Sequence, residues 1–259
     1  MKAFCNLVYT NSNRNLCFTQ NHMYDTFKKY IECSDREYFS DMTHYLIMDV
    51  DIRLDSQISE IIQFKKQGIK VVLMTFDPAN FKRIDNFIEN GMIDKIIVFD
   101  NDFKDRFDVK TYFSDYFFNQ DVFPITSEYP KEGVCIFGNM DHGRYNDFNL
   151  PRLDISPDIR TYLDLFGEVQ KYNGVAIYDT GLDEIRNNIV HYNKAKAVET
   201  LMAGRNPYCQ DGIKTKRYDR FLKKYNEISN LKEVDFTQDE IFRINELTVR
   251  ELIYECEYI

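Results

Sequence analysis

Three short, nearly uninterrupted apolar runs place the strongest limit on how this chain can fold: 45-YLIMDV-50, 70-KVVLMTF-76 and 95-KIIVF-99. A strand with one wet face alternates apolar and polar residues, whereas a strand covered on both faces is apolar throughout. The segments between these runs have a different period. In 56-SQISEIIQFKKQG-68, Ile58, Ile61, Ile62 and Phe64 fall near helical spacing and Gly68 is a stop signal. A second helix is expected over 79–89, ending at Gly91. Upstream, 3-AFCNLVY-9 reads as another strand and 22–33 as a helix. This β-α-β-α-β rhythm predicts an α/β fold with a parallel sheet and helices on its faces.

Residues 100–132 break the rhythm. They are rich in Asp, Phe and Tyr and contain Pro124 and Pro130. The domain boundary is placed here, giving an N-terminal domain of residues 1–122 and a second of 123–236. The second series runs through 134-VCIFGN-139, a helix over 156–166, 174-GVAIYD-179, a helix over 193–203, and 206-NPYC-209. Two further helices are expected at 214–229 and 237–256. The prediction is two small Rossmann-like, doubly wound domains in tandem, with a cleft between the carboxyl edges of their sheets. Ligands of open α/β sheets bind at such edges.

Composition narrows the function classes. The 259 residues hold 44% hydrophobic and 29% charged residues, with 21 Phe and 18 Tyr, a globular rather than a disordered balance. No apolar run is long enough to span a bilayer, and the N-terminus lacks the apolar core and cleavage site of a signal peptide. Cys5, Cys17, Cys33, Cys135, Cys209 and Cys256 include no CxxC pair. Cys5 and Cys135 read as buried free thiols of a reducing compartment. A soluble cytoplasmic location is expected. The net charge of −9 counts against extensive nucleic-acid binding, though not against a local basic groove.

The most informative segment is 191-HYNKAKAVETLMAGRNPYC-209. Asn193 is a plausible N-cap, and Ala195, Ala197, Val198, Leu201 and Met202 make an amphipathic helix that Gly204 ends. Lys196 and Glu199 are three apart and share a face. A lysine near a helix N-terminus attracts phosphate, and a carboxylate one turn later accepts from ribose hydroxyls. The plainer alternative is a surface ion pair. In 134-VCIFGNMDHGRYN-146, a strand runs into a Gly138-Asn139 turn and then Arg144, a set suited to pyrophosphate, or else an ordinary turn with a solvated arginine. In 70-KVVLMTFDPANF-81, Asp77 follows a buried strand and precedes Pro78. It is either a general base or the cap of the next helix. Asp49 and Asp51 are rivals for the base. Asp49-Val-Asp51 also mimics a metal-binding DxD run.

The pattern K-x-x-E-x-x-x-x-G-R-x-P, matched at Lys196, Glu199, Gly204 and Pro207, resembles the donor-site helix of GT-B glycosyltransferases. The 134–146 segment is similar to the first strand and loop of their C-terminal domain, and 121-DVFPI-125 to their interdomain link. The 70–81 segment resembles in outline a strand of phage DNA β-glucosyltransferases that ends in an aspartate proposed as the base. The resemblance covers about 150 residues, mainly 45–80 and 120–210. The glycine-rich N-terminal loop of the fold is missing after Tyr9.

The resemblance implies a hexosyl-type transferase using a nucleotide diphosphate sugar, UDP-linked, without an obligatory metal. Whether the reaction inverts or retains is left open, and Asp77 is the catalytic base in the inverting case. Gly138, Asn139, Arg144, Tyr178, Asn193, Lys196 and Glu199 bind the donor, with Glu199 on the ribose. The final helix, within 237–259, packs back on the N-terminal, acceptor-side domain. The acceptor is left open among hydroxymethylated pyrimidine in phage DNA, a surface glycan and a small molecule. The alternative is a non-catalytic nucleotide- or protein-binding module on a degenerate GT-B fold. No GxxxxGK[ST], GxGxxG, HExxH or GxSxG motif is present, and His22, His44, His142 and His191 lack metal-ligand spacing.

Overall fold

The computed structural model describes residues 1–7, 18–49, 57–75, 81–125, 132–138, 150–154, 162–177, 186–210 and 213–258. They form two compact units, one of Met1–Phe118 with Leu247–Ile259 and one of Asn119–Glu246. Each contains a parallel α/β sheet.

The first unit contains β1 (Lys2–Leu7), α1 (Phe18–Phe27), β2 (Glu32–Ser34), β3 (His44–Asp49), α2 (Ile58–Lys66), β4 (Lys70–Thr75), α3 (Phe81–Glu89), β5 (Lys95–Val98) and β6 (Thr111–Phe113). Its strands lie in the order β2-β1-β3-β4-β5-β6. The apolar runs form the central strands, for the reason their composition gives. Tyr45, Ile47, Val71, Leu73, Ile96 and Val98 join Ile61 and Phe64 of α2 and Ile84 and Phe87 of α3 in one core. The alternate residues Leu46, Met48, Val72, Met74 and Ile97 are equally buried, so both faces are covered. Burying each such side chain contributes roughly 1.5–3 kcal/mol. α2 and α3 stop where expected. Gly68 and Gly91 take φ values of 77° and 65°. The Gly68 and Ile69 amides return to Lys65 O and Phe64 O, and those of Gly91 and Met92 to Ile88 O and Phe87 O. Positive φ with these paired bonds is the glycine helix stop.

The second unit contains β7 (Glu132–Gly138), β8 (Arg152–Asp154), α4 (Tyr162–Val169), β9 (Tyr172–Ile177), α5 (Arg186–Met202), β10 (Asn206–Cys209) and β11 (Lys223–Lys224). The sheet order is β11-β10-β9-β7-β8. Numbered from the first strand of each sheet, both begin 2-1-3-4-5, the flavodoxin-like order. A Rossmann sheet of order 3-2-1-4-5-6 that lacks its outermost strand 3 has the same neighbours.

α6 (Gln238–Glu257) starts in the second unit, and its residues from Leu247 group with the first. Its last carbonyls have no partners within the helix, and the first unit supplies donors. Lys95 Nζ donates to Glu255 O at 2.5 Å and to Glu255 Oε2 at 2.7 Å. His44 Nε2 is 3.0 Å from Cys256 O and, facing a carbonyl, acts as the donor. Lys110 Nζ donates to Tyr258 O at 2.5 Å. The cationic groups also suit the negative end of the helix dipole.

Three local expectations are corrected. The helix expected over 22–33 ends at Phe27, and Glu32–Ser34 pair with Lys2–Phe4 instead, so ladder pairing at the sheet edge overrides the local pattern. The helix expected over 214–229 is absent. Asp219 Oδ1 accepts from Thr215 N and Oγ1, which favours a short 3-10 turn at Asp219–Phe221, and Lys223–Lys224 pair with Tyr208–Cys209. The helix expected from 193 begins at Arg186, because nothing from Leu182 to Ala203 is Gly or Pro.

Candidate functional site

Each sheet has one switch point, where the first connection leaves in one direction and the next in the other. Such points bind ligands in open α/β sheets. In the second unit it lies between β7 and β9, neighbours paired through Val134↔Gly174 and Cys135↔Val175. Gly138 is the last residue of β7 and Ile177 the last of β9. Asn139 and Tyr178 come next in sequence. They and Arg144 lie outside the described residues. Gly138 has no Cβ to block a ligand at the strand end.

α5 places the other donor residues elsewhere. Asn193 is its eighth residue, not an N-cap, and its side chain lies outside the described set. Lys196 and Glu199 are its eleventh and fourteenth residues of 17. The helix runs back from the carboxyl end of β9 to the start of β10, so Glu199 stands about 4.5 Å along the axis from the last helical residue, toward the amino edge. The phosphate-attracting helix N-terminus therefore does not act on this pair.

The surroundings of the pair are dry. Glu199 retains 9% of its accessible surface, Lys194 4% and Thr200 none, while Lys196 is half-buried. Burial pushes the Glu199 carboxyl up to about 8, with Lys196 pulling part of the way back. Glu199 is thus largely protonated at neutral pH and can donate one hydrogen bond as well as accept. Thr200 Oγ1 donates to Lys196 O at 2.7 Å.

The rest of the sequence motif is structural. Gly204 takes φ 72°, the Gly204 amide donates to Leu201 O, and the Arg205 amide donates to Thr200 O. The Arg205 side chain is buried and donates from Nε to Gln170 O at 2.9 Å and from Nη1 to Gly204 O at 2.8 Å. Gln238 and Gln170 amides donate to Met202 O and Ala203 O at the end of α5. Pro207 sits in β10 in register with Val175.

In the first unit, Asp77 and Asp51 lie outside the described residues. Asp49 ends β3 in register with Thr75, the last residue of β4, and its side chain is not described. Two polar residues at this edge, Gln57 and Thr75, belong to no sequence motif. Gln57 is 8% and Thr75 4% exposed, and among the described residues neither Gln57 Oε1 nor Thr75 Oγ1 has a hydrogen-bond partner. A signal existed for Gln57, which falls at i, i+4, i+7 with Ile61 and Phe64 on the sheet-facing stripe of α2.

Cys5, Cys33, Cys135, Cys209 and Cys256 are free thiols, while Cys17 lies outside the described residues. Among the described residues, no group of three or more His, Cys, Asp or Glu is arranged to hold a metal ion, and no helix is long and apolar enough to cross a membrane. Two lysines a basic groove would need are engaged in ion pairs, Lys65 with Asp94 and Lys223 with Asp235.

The fold and its edges thus define a class: a protein with two parallel α/β units, each with a single switch point. Comparison with family models, curated proteins and solved structures finds no match for the chain.

Proposed function

We propose that this protein is a GT-B-type glycosyltransferase that moves a hexosyl group from a UDP-linked sugar to a hydroxyl acceptor. The observation that carries the reading is the switch point of the second sheet. Gly138 ends one of its two strands, and Asn139 and Tyr178 directly follow the two strand ends in sequence. The tandem of two parallel sheets also supports it.

In this reading, Asn139 and Arg144 meet the diphosphate, where the guanidinium offsets charge on the leaving group. Lys196 and Glu199 lie late in α5, toward the opposite edge of the sheet, and meet the donor only if it sits along α5 rather than at the switch point. Asp77, two residues beyond the end of β4, takes the acceptor proton in an inverting reaction. The acceptor candidates are a hydroxymethylated pyrimidine in phage DNA, a surface glycan or a small molecule, in a cytoplasmic setting. No step needs a bound metal.

A second reading is a non-catalytic nucleotide-binding module. The position of Lys196 and Glu199 late in α5 favours it, because that pair is then a buried structural element. A nucleotide-sugar panel separates these readings. A donor at 100 times its Kd stabilises the fold by about 2.7 kcal/mol, and a transferase also releases UDP when an acceptor is added. Stabilisation without UDP release supports the module. No shift with any nucleotide or nucleotide sugar removes both.

A further inference from the structure

We propose that Cys5 and Cys33 form an oxidation-sensitive dithiol in the first unit: a hydroperoxide oxidises Cys33, and Cys5 then closes a disulfide with it. The two residues belong to neighbouring parallel strands. Ala3 of β1 is in register with Cys33 of β2. Partner residues on parallel strands point to one face, and Cys5, two places beyond Ala3, points there too. Tyr24 of α1 meets the same spot. Its hydroxyl donates to Asp35 Oδ1 at 2.9 Å and lies within electrostatic reach of both thiols.

The two thiols have different tasks. A thiolate attacks a peroxide, and exposure decides which cysteine meets one. Cys33 alone of the described cysteines is not buried. Its strand is at the edge of the sheet, with β1 as its one neighbour. Cys5 is fully buried. The facing Cys33 sulfur and then burial push its thiol well above the ordinary range, so it stays protonated until it is needed. Cys256 also lies near Cys5, but it is fully buried and out of an oxidant's reach.

The first step therefore falls on Cys33. Its thiolate attacks one peroxide oxygen. An S–O bond forms, the O–O bond breaks and hydroxide departs, leaving a sulfenic acid. The Cys5 sulfur then attacks the Cys33 sulfur. An S–S bond forms, the S–O bond breaks, and the oxygen leaves as water with the Cys5 proton. Two thiols and one peroxide thus give one disulfide and two water molecules.

Closing the bond moves the edge of the sheet. A strand spacing of about 4.8 Å and a rise of about 3.3 Å per residue put such diagonal Cα atoms about 8 Å apart. A disulfide spans at most about 6.8 Å, so β2 must slide along β1 by about 2 Å. A three-residue strand paired on one side is the element of the sheet best placed to do so. The slide disturbs the pairs Lys2↔Glu32, Ala3↔Cys33 and Phe4↔Ser34. A bridge held against that displacement is readily reduced, which makes the modification reversible. The dithiol is independent of the transferase reading.

The test is hydrogen peroxide added to the reduced full chain, with Cys5→Ala and Cys33→Ser alongside the parent. Intact mass, alkylation of free thiols and peptide mapping are the readouts. The parent is expected to lose two hydrogens and two alkylatable thiols, to yield a peptide linking Cys5 to Cys33, and to return to the starting state with dithiothreitol. Amide exchange at Glu32–Ser34 should be faster in the oxidised chain. Cys33→Ser should form no bridge. Cys5→Ala should still be oxidised at Cys33, and that sulfenic acid, with no thiol to close on, should be trapped by dimedone or go on to the sulfinic acid. The linked peptide from the parent decides the matter even where a variant fails to fold. A bridge to any other cysteine, Cys17 and Cys256 included, overturns the proposal. So does a parent in which Cys33 becomes a sulfinic acid while Cys5 stays free, a bridge that forms only in urea, or one that joins two chains.

Discussion

Replacing Glu199 with glutamine tests the buried carboxyl directly. The side chain keeps its shape and loses its titration. In the folded chain burial holds the carboxyl at about 8, against 4.5 for the free group. That gap of about 3.5 units corresponds to roughly 5 kcal/mol, at 1.36 kcal/mol per unit. Glu199 is 91% buried, so little of this is lost to solvent screening. The sign follows from proton counts. Below pH 4.5 the carboxyl is protonated in both states and the full stabilisation is present. As pH rises, the unfolded chain loses its proton first and stability falls, until the folded carboxyl also ionises near pH 8. Glutamine has no such slope. The parent should therefore lose stability relative to Glu199→Gln between about pH 4.5 and 8, by up to about 5 kcal/mol, and the variant should be the more stable protein at pH 8. Urea unfolding at closely spaced pH values measures the difference. Parallel pH profiles for the two proteins would refute the reasoning, because they would place an ionised Glu199 in the folded chain at neutral pH.

Other substitutions test other parts of the structure. His22, 5% exposed and edge-on to the Phe118 ring, is driven down to about 4 by burial. The unfolded chain then takes up a proton near pH 6.5 that the folded chain refuses, so His22 should cost about 3 kcal/mol of stability as pH falls from 6.5 to 4. His22→Phe should flatten that part of the acid-unfolding curve. Gly174 lies under the Tyr208 ring, and an added Cβ would collide with Asn206 O and sit 2.6 Å from Tyr208 Cε2. Gly174→Ala should destabilise the second unit by about 1–3 kcal/mol, read as a lower thermal midpoint.

The strands that form the centre of each sheet were legible because their burial on both faces leaves a continuous apolar run. β3, β4 and β5 carry that signature, and β7, β9 and β10 carry it more briefly. β2, β6, β8 and β11 were not legible as strands. Each has only two or three residues, and Arg152–Asp154 has a single apolar residue and Lys223–Lys224 none to mark them. They are strands because an edge of the sheet offers them unpaired amides and carbonyls. The helix stops were legible through Gly68, Gly91 and Gly204. The start of α5 was not, because Asn193 looks like a cap when read locally, and only the turns before it show that the helix is already under way. The burial of Glu199 could not be read from spacing either. An amphipathic pattern predicts one wet face, but Lys194 and Glu199 are covered along with the apolar stripe, since the end of α5 is also bonded by Gln170 and Gln238 from other segments.

The position of Glu199 also bears on where a nucleotide would sit. The sequence reading gave phosphate and ribose to one helix, with Asn193 at its start. With α5 starting seven residues earlier, at Arg186, the ends of β7 and β9 remain at the switch point while Lys196 and Glu199 lie toward the opposite edge. A nucleoside diphosphate held at the switch point depends on the close approach of its phosphates to the backbone at Gly138, as glycines in dinucleotide-binding turns do. Gly138→Val is accordingly expected to weaken UDP at least tenfold. The fold should survive, because a β-branched residue is well suited to a strand. Glu199→Gln should change UDP affinity much less, since the amide retains one donor and one acceptor in place of the neutral acid. Isothermal titration of both variants against UDP decides the matter. Loss in Glu199→Gln with retention in Gly138→Val would move the donor to α5 and remove the switch point from the site.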